Sequence, residues 1–292
     1  MNPVLDWGDP HRINADLHCH SVQSDGVLNP EELAQRAAEQ GVQIWSLTDH
    51  DEVSGVARAR AAAKAHGLAF VAGVEISVTC MAQTVHIVGL NVDETHPALL
   101  NGLESVREGR NARAQDMGHQ LAKAGIHGAY EGALKYVGNP ALVSRTHFAR
   151  YLVDQGVCSD VREVFTRFLT PGKPGYVPHD WASLPEAVGW IRAAGGQAVI
   201  AHPGRYSLSP LQLDALIDWF KALGGEGIEV VTGSHTVDEY KSFARKALRC
   251  GLKASRGSDF HGPNESHVNL GQLPDLPDGC VPIWDNWSHR FQ

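Results

Sequence analysis

Short apolar runs alternate with amphipathic stretches along most of the chain, and this alternation predicts strand–helix units. Asn14–His20 reads as a first short strand. Asn29-Pro30-Glu31-Glu32 then has an N-cap, a proline at the first helical position and early acids, and it opens a helix that closes at Gly41. Gln43–Thr48 reads as a strand, Val53–His66 as a helix closing at Gly67, Leu68–Ala72 as a third strand and Thr84–Val88 as a fourth. The rhythm resumes later with Leu184–Ala194 (helix), Gln197–Ala201 (strand), Leu211–Leu223 (helix), Gly227–Val231 (strand), Val237–Cys250 (helix) and Leu252–Ser255 (strand). Such alternation predicts parallel strands in an α/β fold.

Between the two halves the rhythm changes. From about His96 to Thr170 the pattern is mostly helical, over Leu99–Gly125, Arg145–Gly156 and Asp160–Leu169. Pro171-Gly-Lys-Pro-Gly175 reads as the return linker. The expected organisation is an α/β unit made of residues 14–94 and 177–283, interrupted by an inserted helical subdomain over 95–176. The tail after Gly262 has little periodicity.

Composition narrows the function classes. With 292 residues, 43% of them hydrophobic, the chain can bury a sizeable core. A net charge of −8 argues against general electrostatic binding of long duplex nucleic acid. Residues 1–10 carry acids and prolines with no apolar run, so they do not read as a signal peptide. No stretch approaches the roughly 18 apolar residues of a membrane span. The five cysteines are scattered and form no Cys-x-x-Cys pair, which suits a reduced cytoplasm. The sixteen histidines need an explanation.

Their positions supply one. In the first strand Asp16, His18 and His20 share a face by the two-residue period, and a turn rich in Ser, Asp and Gly can bring Asp25 back over the strand end. His50, Glu75, His202, Asp259 and His261 all fall just past the C-terminal ends of predicted strands, the edge where α/β sheets and barrels place their chemistry. Scattered core histidines have no reason to choose one edge. With His86, the set makes six imidazoles and three carboxylates, donors suited to a multi-metal site. Asp16 reads equally as a partner orienting an imidazole or as an ordinary strand-end acid.

The ordered motifs Asp16–Gly26, Thr48-Asp-His-Asp51, Gly73-Val-Glu75, His86, Ile200-Ala-His-Pro-Gly204 and Gly257-Ser-Asp-Phe-His261 resemble those of the PHP (polymerase and histidinol phosphatase) family. The resemblance implies a distorted seven-stranded (β/α) barrel with two or three divalent cations at the strand C-termini. It places the first on His18, His20, Glu75 and Asp259. A second would share Glu75 and add His86 and His202. A third would use Asp25, His50 and His261. Mixed imidazole and carboxylate donors suit Mn, Fe or Zn more than Ca or Mg, and the resemblance favours Mn. The expected chemistry is phosphoester hydrolysis, with Asp259 orienting the attacking hydroxide and either His202 or Asp51 helping the leaving group.

The inserted segment bears on substrate. Arg107, Arg110 and Arg113 are spaced by three, and Ser144-Arg145-Thr146 opens a helix. Arg205 follows His202 by three residues. Arg110 to Arg113, Ser144 to Phe148 and Pro171 to Tyr176 are similar to a subgroup of PHP phosphatases acting on nucleoside 3′,5′-bisphosphates, with relatives that trim RNA 5′ ends. That likeness implies substrate contacts at Asp51, Arg110, Asn111, Arg113, Arg145, Thr146, His202 and Arg205. It also implies a small phosphorylated nucleotide or short RNA 5′ end as partner, and no membrane. Trp181 or Tyr206 is a candidate for stacking a base. Histidinol-phosphate phosphatase, an amidohydrolase and a metal-binding PHP module with a regulatory role are the competing readings. The carbamylated lysine many amidohydrolases use has no counterpart at Glu75.

Overall fold

The computed structural model describes residues 9–287, so residues 1–8, read above as lacking a signal sequence, lie outside it. Seven strands form one sheet in sequence order: β1 (Ala15–Asp16), β2 (Ile44–Leu47), β3 (Ala69–Cys80), β4 (Gln83–Leu90), β5 (Gln197–Ile200), β6 (Gly227–Thr232) and β7 (Lys253–Gly257). The two edges then meet. Leu17 N donates to Arg256 O (3.0 Å), Asp259 N to His18 O (2.8 Å) and His20 N to Phe260 O (2.9 Å), curling the sheet into a nearly closed barrel.

Helices α1 (Pro30–Glu39) and α2 (Val56–Ala65) cover the first strands, and α8 (Leu184–Ala193), α9 (Pro210–Ala222) and α10 (Val237–Cys250) cover the later ones. Local chemistry sets where the last three begin. Ser183, Ser209 and Thr236 each cap a helix, and Glu186, Gln212 and Glu239 reach back to their backbone N–H groups at 2.7–2.9 Å.

Two expectations are corrected. The third strand does not stop at Ala72 but runs to Cys80, so Glu75 lies inside it rather than past its end. The sheet is also not wholly parallel, because β4 pairs antiparallel with both β3 and β5. The cause is the two-residue turn Met81-Ala82, with both φ values positive at 49° and 59°. A two-residue loop of that hand joins only antiparallel strands. Met-Ala is not the Asn-Gly or Asp-Gly that announces such a turn. The register sets Ser77 opposite His86, so Glu75, Ser77 and His86 share one face of the hairpin.

Between β4 and β5 lie α3 (Pro97–Glu108), α4 (Arg110–Lys123), α5 (Ala129–Leu134), α6 (Arg145–Asp154), α7 (Val161–Val164) and a π-helical turn at Phe165–Leu169. The single helix expected over Leu99–Gly125 is two, broken at Gly109. A Cβ there would sit 2.3 Å from the His179 ring, so the chain bends closely past that residue. Leu99 and Leu103 of α3 join the barrel core, whereas Met117, Leu121, Phe148, Leu152 and Leu169 build a separate cluster. The tail forms no helix or strand among the described residues, yet Ile283, Trp284 and Trp287 are buried in the barrel core. No helix among the described residues is long and apolar enough to cross a membrane.

Gly257 marks the tightest point of the closure. A Cβ on it would lie 2.3 Å from His18 Cβ and 2.7 Å from His18 N. Gly257→Ala is therefore expected to push β1 from β7 and cost about 1–3 kcal/mol. Denaturant unfolding checks this, and an unchanged midpoint would show that the two edges are not in contact.

Candidate metal centre and arginine-lined cavity

Glu75 is fully buried, and its carboxylate faces five imidazoles. Oε2 lies 2.9 Å from His50 Nδ1 and 3.3 Å from both His18 Nε2 and His20 Nε2. Oε1 lies 2.9 Å from His86 Nδ1 and 3.0 Å from His202 Nε2. Burial opposes its ionisation, but His86, His18 and His50 outweigh burial and hold its pKa well below the usual range. Asp259 closes one side, with Oδ1 3.1 Å from His20 Nε2 and 3.5 Å from His18 Nε2. Asp25 closes another, with Oδ1 3.4 Å from His261 Nε2 and 3.8 Å from His50 Nε2.

All nine residues expected as metal donors come together. Their donor atoms fall into four overlapping groups within 4.8 Å: His20, Asp25, His50 and His261; His18, Glu75 and His202; His18, His20 and Asp259; His50, Glu75 and His86. His86 groups with His50 and Glu75, and its Nδ1 also lies 3.3 Å from His202 Nε2 beside the same Glu75 oxygen, so the trio His86, His202 and Glu75 implied by the resemblance comes together as well. The donors fit divalent cations on a direct observation. His18 Nε2, His20 Nδ1, Asp25 Oδ1 and Glu75 Oε2 are buried without a hydrogen-bond partner among the described residues, a costly state unless a ligand satisfies them. Burial lowers the pKa of His20 and His202 to about 3, whereas against burial Glu75 and Asp25 raise that of His50 to about 9, so the imidazoles of this centre differ in charge without an ion.

Several supports of this centre have no motif in the sequence. Glu229 of β6 is the main one. Its Oε1 accepts from His18 Nδ1 at 2.7 Å, and its Oε2 accepts the backbone N–H of His202 at 2.6 Å. The first bond fixes the His18 tautomer and turns Nε2 toward Glu75. The only available signal was one acid inside the apolar run Gly227-Ile-Glu-Val-Val231. Asp16 is the strand-end acid of the two readings: it accepts from Ser258 N and Gly271 N at 2.8 and 2.7 Å and bonds to no imidazole among the described residues. Asp49 plays a similar part for the first loop. It accepts from Ser21 N, Ser21 Oγ and Ser24 Oγ, and burial raises its pKa to about 6. Asp51, His202 and Asp259 adopt left-handed φ values of 51°, 25° and 55° without being glycine. Strain of that kind gathers where surrounding structure must aim a side chain.

The same cavity is lined by Arg110, Arg113, Arg145 and Arg205 beside Glu75, His86 and Asp259. They are not equivalent. Arg110 pairs closely with Asp51, and Arg205 Nη1 donates to Asp259 Oδ2 at 2.7 Å. Arg113 and Arg145 have no carboxylate partner among the described residues; Arg113 Nε donates to Val177 O at 2.9 Å, and Arg145 lies over the Phe165 ring. Burial, then Arg145 and Arg110, push the Arg113 pKa down to about 10. Trp181 is not free to stack a base, since Arg110 and Arg113 lie over its ring at 4.5 and 5.3 Å. Tyr206 does not line the cavity; its hydroxyl donates to Ala201 O and accepts from His86 N.

Three expected substrate contacts sit differently. Asn111 is exposed on α4 and does not line the cavity: one residue past Arg110 it is turned about 100° round the helix. Thr146 Oγ1 donates to Asp25 Oδ2 at 2.9 Å. Asp51 accepts from Ser77 N and Ser77 Oγ as well as from Arg110, so both its oxygens are engaged.

Comparison with known proteins agrees with this geometry. The family model described as PHP domain matches residues 16–169. The chain is 54% identical to a 3′,5′-nucleoside bisphosphate phosphatase of Chromobacterium violaceum, over 95% of this chain and 98% of that one. It is 44% identical to a 5′-3′ exoribonuclease of Haemophilus influenzae, over 93% and 98%. A solved structure from C. violaceum, described as an amidohydrolase with bound sulfate and no metal, superposes with a TM-score of 0.92 at 53% identity, covering 95% and 96%. A proposed metal-dependent phosphoesterase of Bifidobacterium adolescentis superposes with a TM-score of 0.77 at 27% identity, covering 94% of each chain. With its motifs, its barrel and these relatives in agreement, the chain belongs to the PHP domain family.

Proposed function

We propose that this chain is a metal-dependent phosphoesterase that removes the 3′-phosphate of nucleoside 3′,5′-bisphosphates and also acts on short RNA 5′ ends. The observation that carries the reading is the pair Arg113 and Arg145. They are guanidiniums without carboxylate partners among the described residues, facing the cavity that holds the nine candidate metal donors. One phosphate at the donors leaves these arginines for a second. The names of the relatives, bisphosphate phosphatase and exoribonuclease, support the same substrate class. The amidohydrolase reading lacks the lysine it often needs. Retention of all nine donors speaks against a purely regulatory module.

His18, His20, Asp25, His50, Glu75, His86, His202, Asp259 and His261 would hold two or three divalent cations, with Mn favoured over Fe or Zn. When bound, such cations lower the pKa of water from 15.7 toward about 7 in favourable cases and neutralise charge on phosphoryl oxygens. The chain's own groups do the rest. Asp259, held by Arg205 on one oxygen, orients the attacking water with the other. Asp51 is committed to Ser77 and Arg110, so its role is to position Arg110 rather than to give up a proton. His202, neutral and grouped with His18 and Glu75 among the donors, would serve as a ligand rather than as a proton donor to the departing oxygen. Arg113 and Arg145 bind the remote phosphate. The reduced thiols of all five cysteines accord with a cytoplasmic location.

Two outcomes are expected. Glu75→Gln keeps the side chain's size but removes the charge facing five imidazoles. It should lower the number of Mn ions retained and cut turnover by several kcal/mol of lost Lewis-acid stabilisation. Elemental analysis beside phosphate release tests this, and unchanged turnover would end the assignment. Arg113→Ala should lower kcat/KM for a 3′,5′-bisphosphate by about ten- to a hundredfold, the worth of one charged hydrogen bond. A nucleoside 3′-monophosphate should be barely affected. Misfolding or metal loss would lower both rates together, so an unmoved ratio in both Arg113→Ala and Arg145→Ala removes the second-phosphate site.

A further inference from the structure

Asp25 is the one metal donor whose carboxylate is held by the helical segment rather than by the barrel. Its Oδ2 accepts from Thr146 Oγ1 at 2.9 Å and from Ser144 Oγ at 3.2 Å. Its Oδ1 is left buried and unpartnered among the described residues, facing His261 and His50. Its backbone carbonyl accepts from Arg150 Nη2 at 2.5 Å. Ser144 caps α6, Thr146 lies in its first turn, and Arg150 stands on the next turn of the same helix.

Arg150 reaches further. It pairs with Glu265 through two hydrogen bonds, Nε to Oε1 at 2.6 Å and Nη2 to Oε2 at 2.7 Å. Both side chains are largely buried, at 7% and 17% exposure. Glu265 is followed by Ser266, whose Oγ accepts the backbone N–H of His261 at 2.8 Å. Asp25 and the loop after β7 are also joined directly, Val27 N donating to His261 O at 2.8 Å. One helix therefore grips both Asp25 and the loop that carries His261, and that same helix begins with Arg145 at the cavity wall.

We propose that α6 is a positioning element for the cation held by Asp25, His50 and His261: Thr146 and Ser144 leave Asp25 a single free oxygen, Arg150 sets the Asp25–His261 spacing, and occupancy of that one position is linked to the placement of α6. The linkage is reciprocal by thermodynamic necessity. A helix displaced from Asp25 weakens the cation there, and a cation there steadies the helix. Among the described residues no hydrogen bond or ion pair joins α6 to His18, Glu75, His86, His202 or Asp259, so cations that those residues would hold should not respond. This rests on the metal assignment proposed above but not on the substrate.

The test counts metal rather than product. Stripped wild-type protein, Thr146→Val and Arg150→Met are titrated with Mn, and retained ions are measured after gel filtration. Partners that orient a ligand typically carry about ten- to a hundredfold in metal affinity. Each variant should therefore lose that factor for one ion only and keep wild-type affinity for the rest. Thr146→Ser should restore the lost ion. Amide exchange is then followed in wild type and Asp25→Asn, with and without Mn. Mn should slow exchange in α6 of wild type and leave it unchanged in Asp25→Asn. Full stoichiometry with wild-type affinities in both variants overturns the proposal, as does uniform weakening of every ion. Exchange in wild-type α6 that Mn does not alter also overturns it, and this arm needs no variant to fold. If neither bisphosphate nor RNA proves to be a substrate, the function proposed above fails while these readouts stand unchanged.

Discussion

Everything at the mouth of this barrel is arranged around one buried carboxylate. Glu75 meets His18, His20, His50, His86 and His202 within 3.3 Å and has no exposed surface. A lone ionised acid in such a place is strongly disfavoured by loss of hydration. It is tolerable only because the sequence delivers positive or ligand-capable groups from four other directions: the segment after β1, the end of β2, strand β4 and the end of β5. Each of those deliveries depends on another piece of the fold. His18 is aimed by Glu229, His202 by its strained backbone and by the same Glu229, and His86 by its register across the hairpin from Ser77. The barrel closure is part of the same constraint, since Asp259 reaches His20 only if the end of β7 lies against the segment after β1.

Much of this was legible in the sequence. The strand–helix alternation located all seven strands and the five helices that flank the barrel, because parallel βα units bury continuous apolar runs and cap their helices with short polar side chains. Most of the candidate donors, which the structure brings together, were legible because His and Asp recur at the ends of those runs, where an apolar core gives them no other reason to be; Glu75 and His86 lie within strands instead. What failed did so for identifiable reasons. The β3–β4 hairpin is made by Met81-Ala82, a turn without glycine or asparagine, so nothing local announced the antiparallel strands or the extension that places Glu75 inside β3. Asn111 was grouped with its arginine neighbours by sequence adjacency, which a helix undoes within one residue.

The groups that hold the donors were the least legible. Glu229, Arg150 and Glu265 each act through partners more than a hundred residues away in the chain. A single acid in an apolar strand or a single arginine inside a helix carries no local pattern that tells its partner. Metal-binding residues announce themselves by spacing. The residues that orient them do so only through the fold, and a reading of the sequence finds the first set without the second.

The helical segment shows why the two sets must be considered together. Arg113 is buried and Arg145 half-buried, neither has a carboxylate partner among the described residues, and burial makes Arg113 less basic. Cations on the nearby donors would raise the local positive charge further. On the proposed function, a ligand with one phosphate would satisfy the donors and leave these guanidiniums desolvated and unpaired. A ligand with two would satisfy both. Discrimination then comes from the charged hydrogen bonds to the second phosphate, each worth about ten- to a hundredfold, which a ligand lacking that group forgoes. This works only if the arginines cannot swing out to water. Trp181 beneath Arg113, Phe165 beneath Arg145 and the Val177 carbonyl on Arg113 Nε hold them in place. The separate apolar cluster of the helical segment fixes the helices that carry them. On the proposed function, the helical segment thus holds two charges in place for a substrate with the right second group.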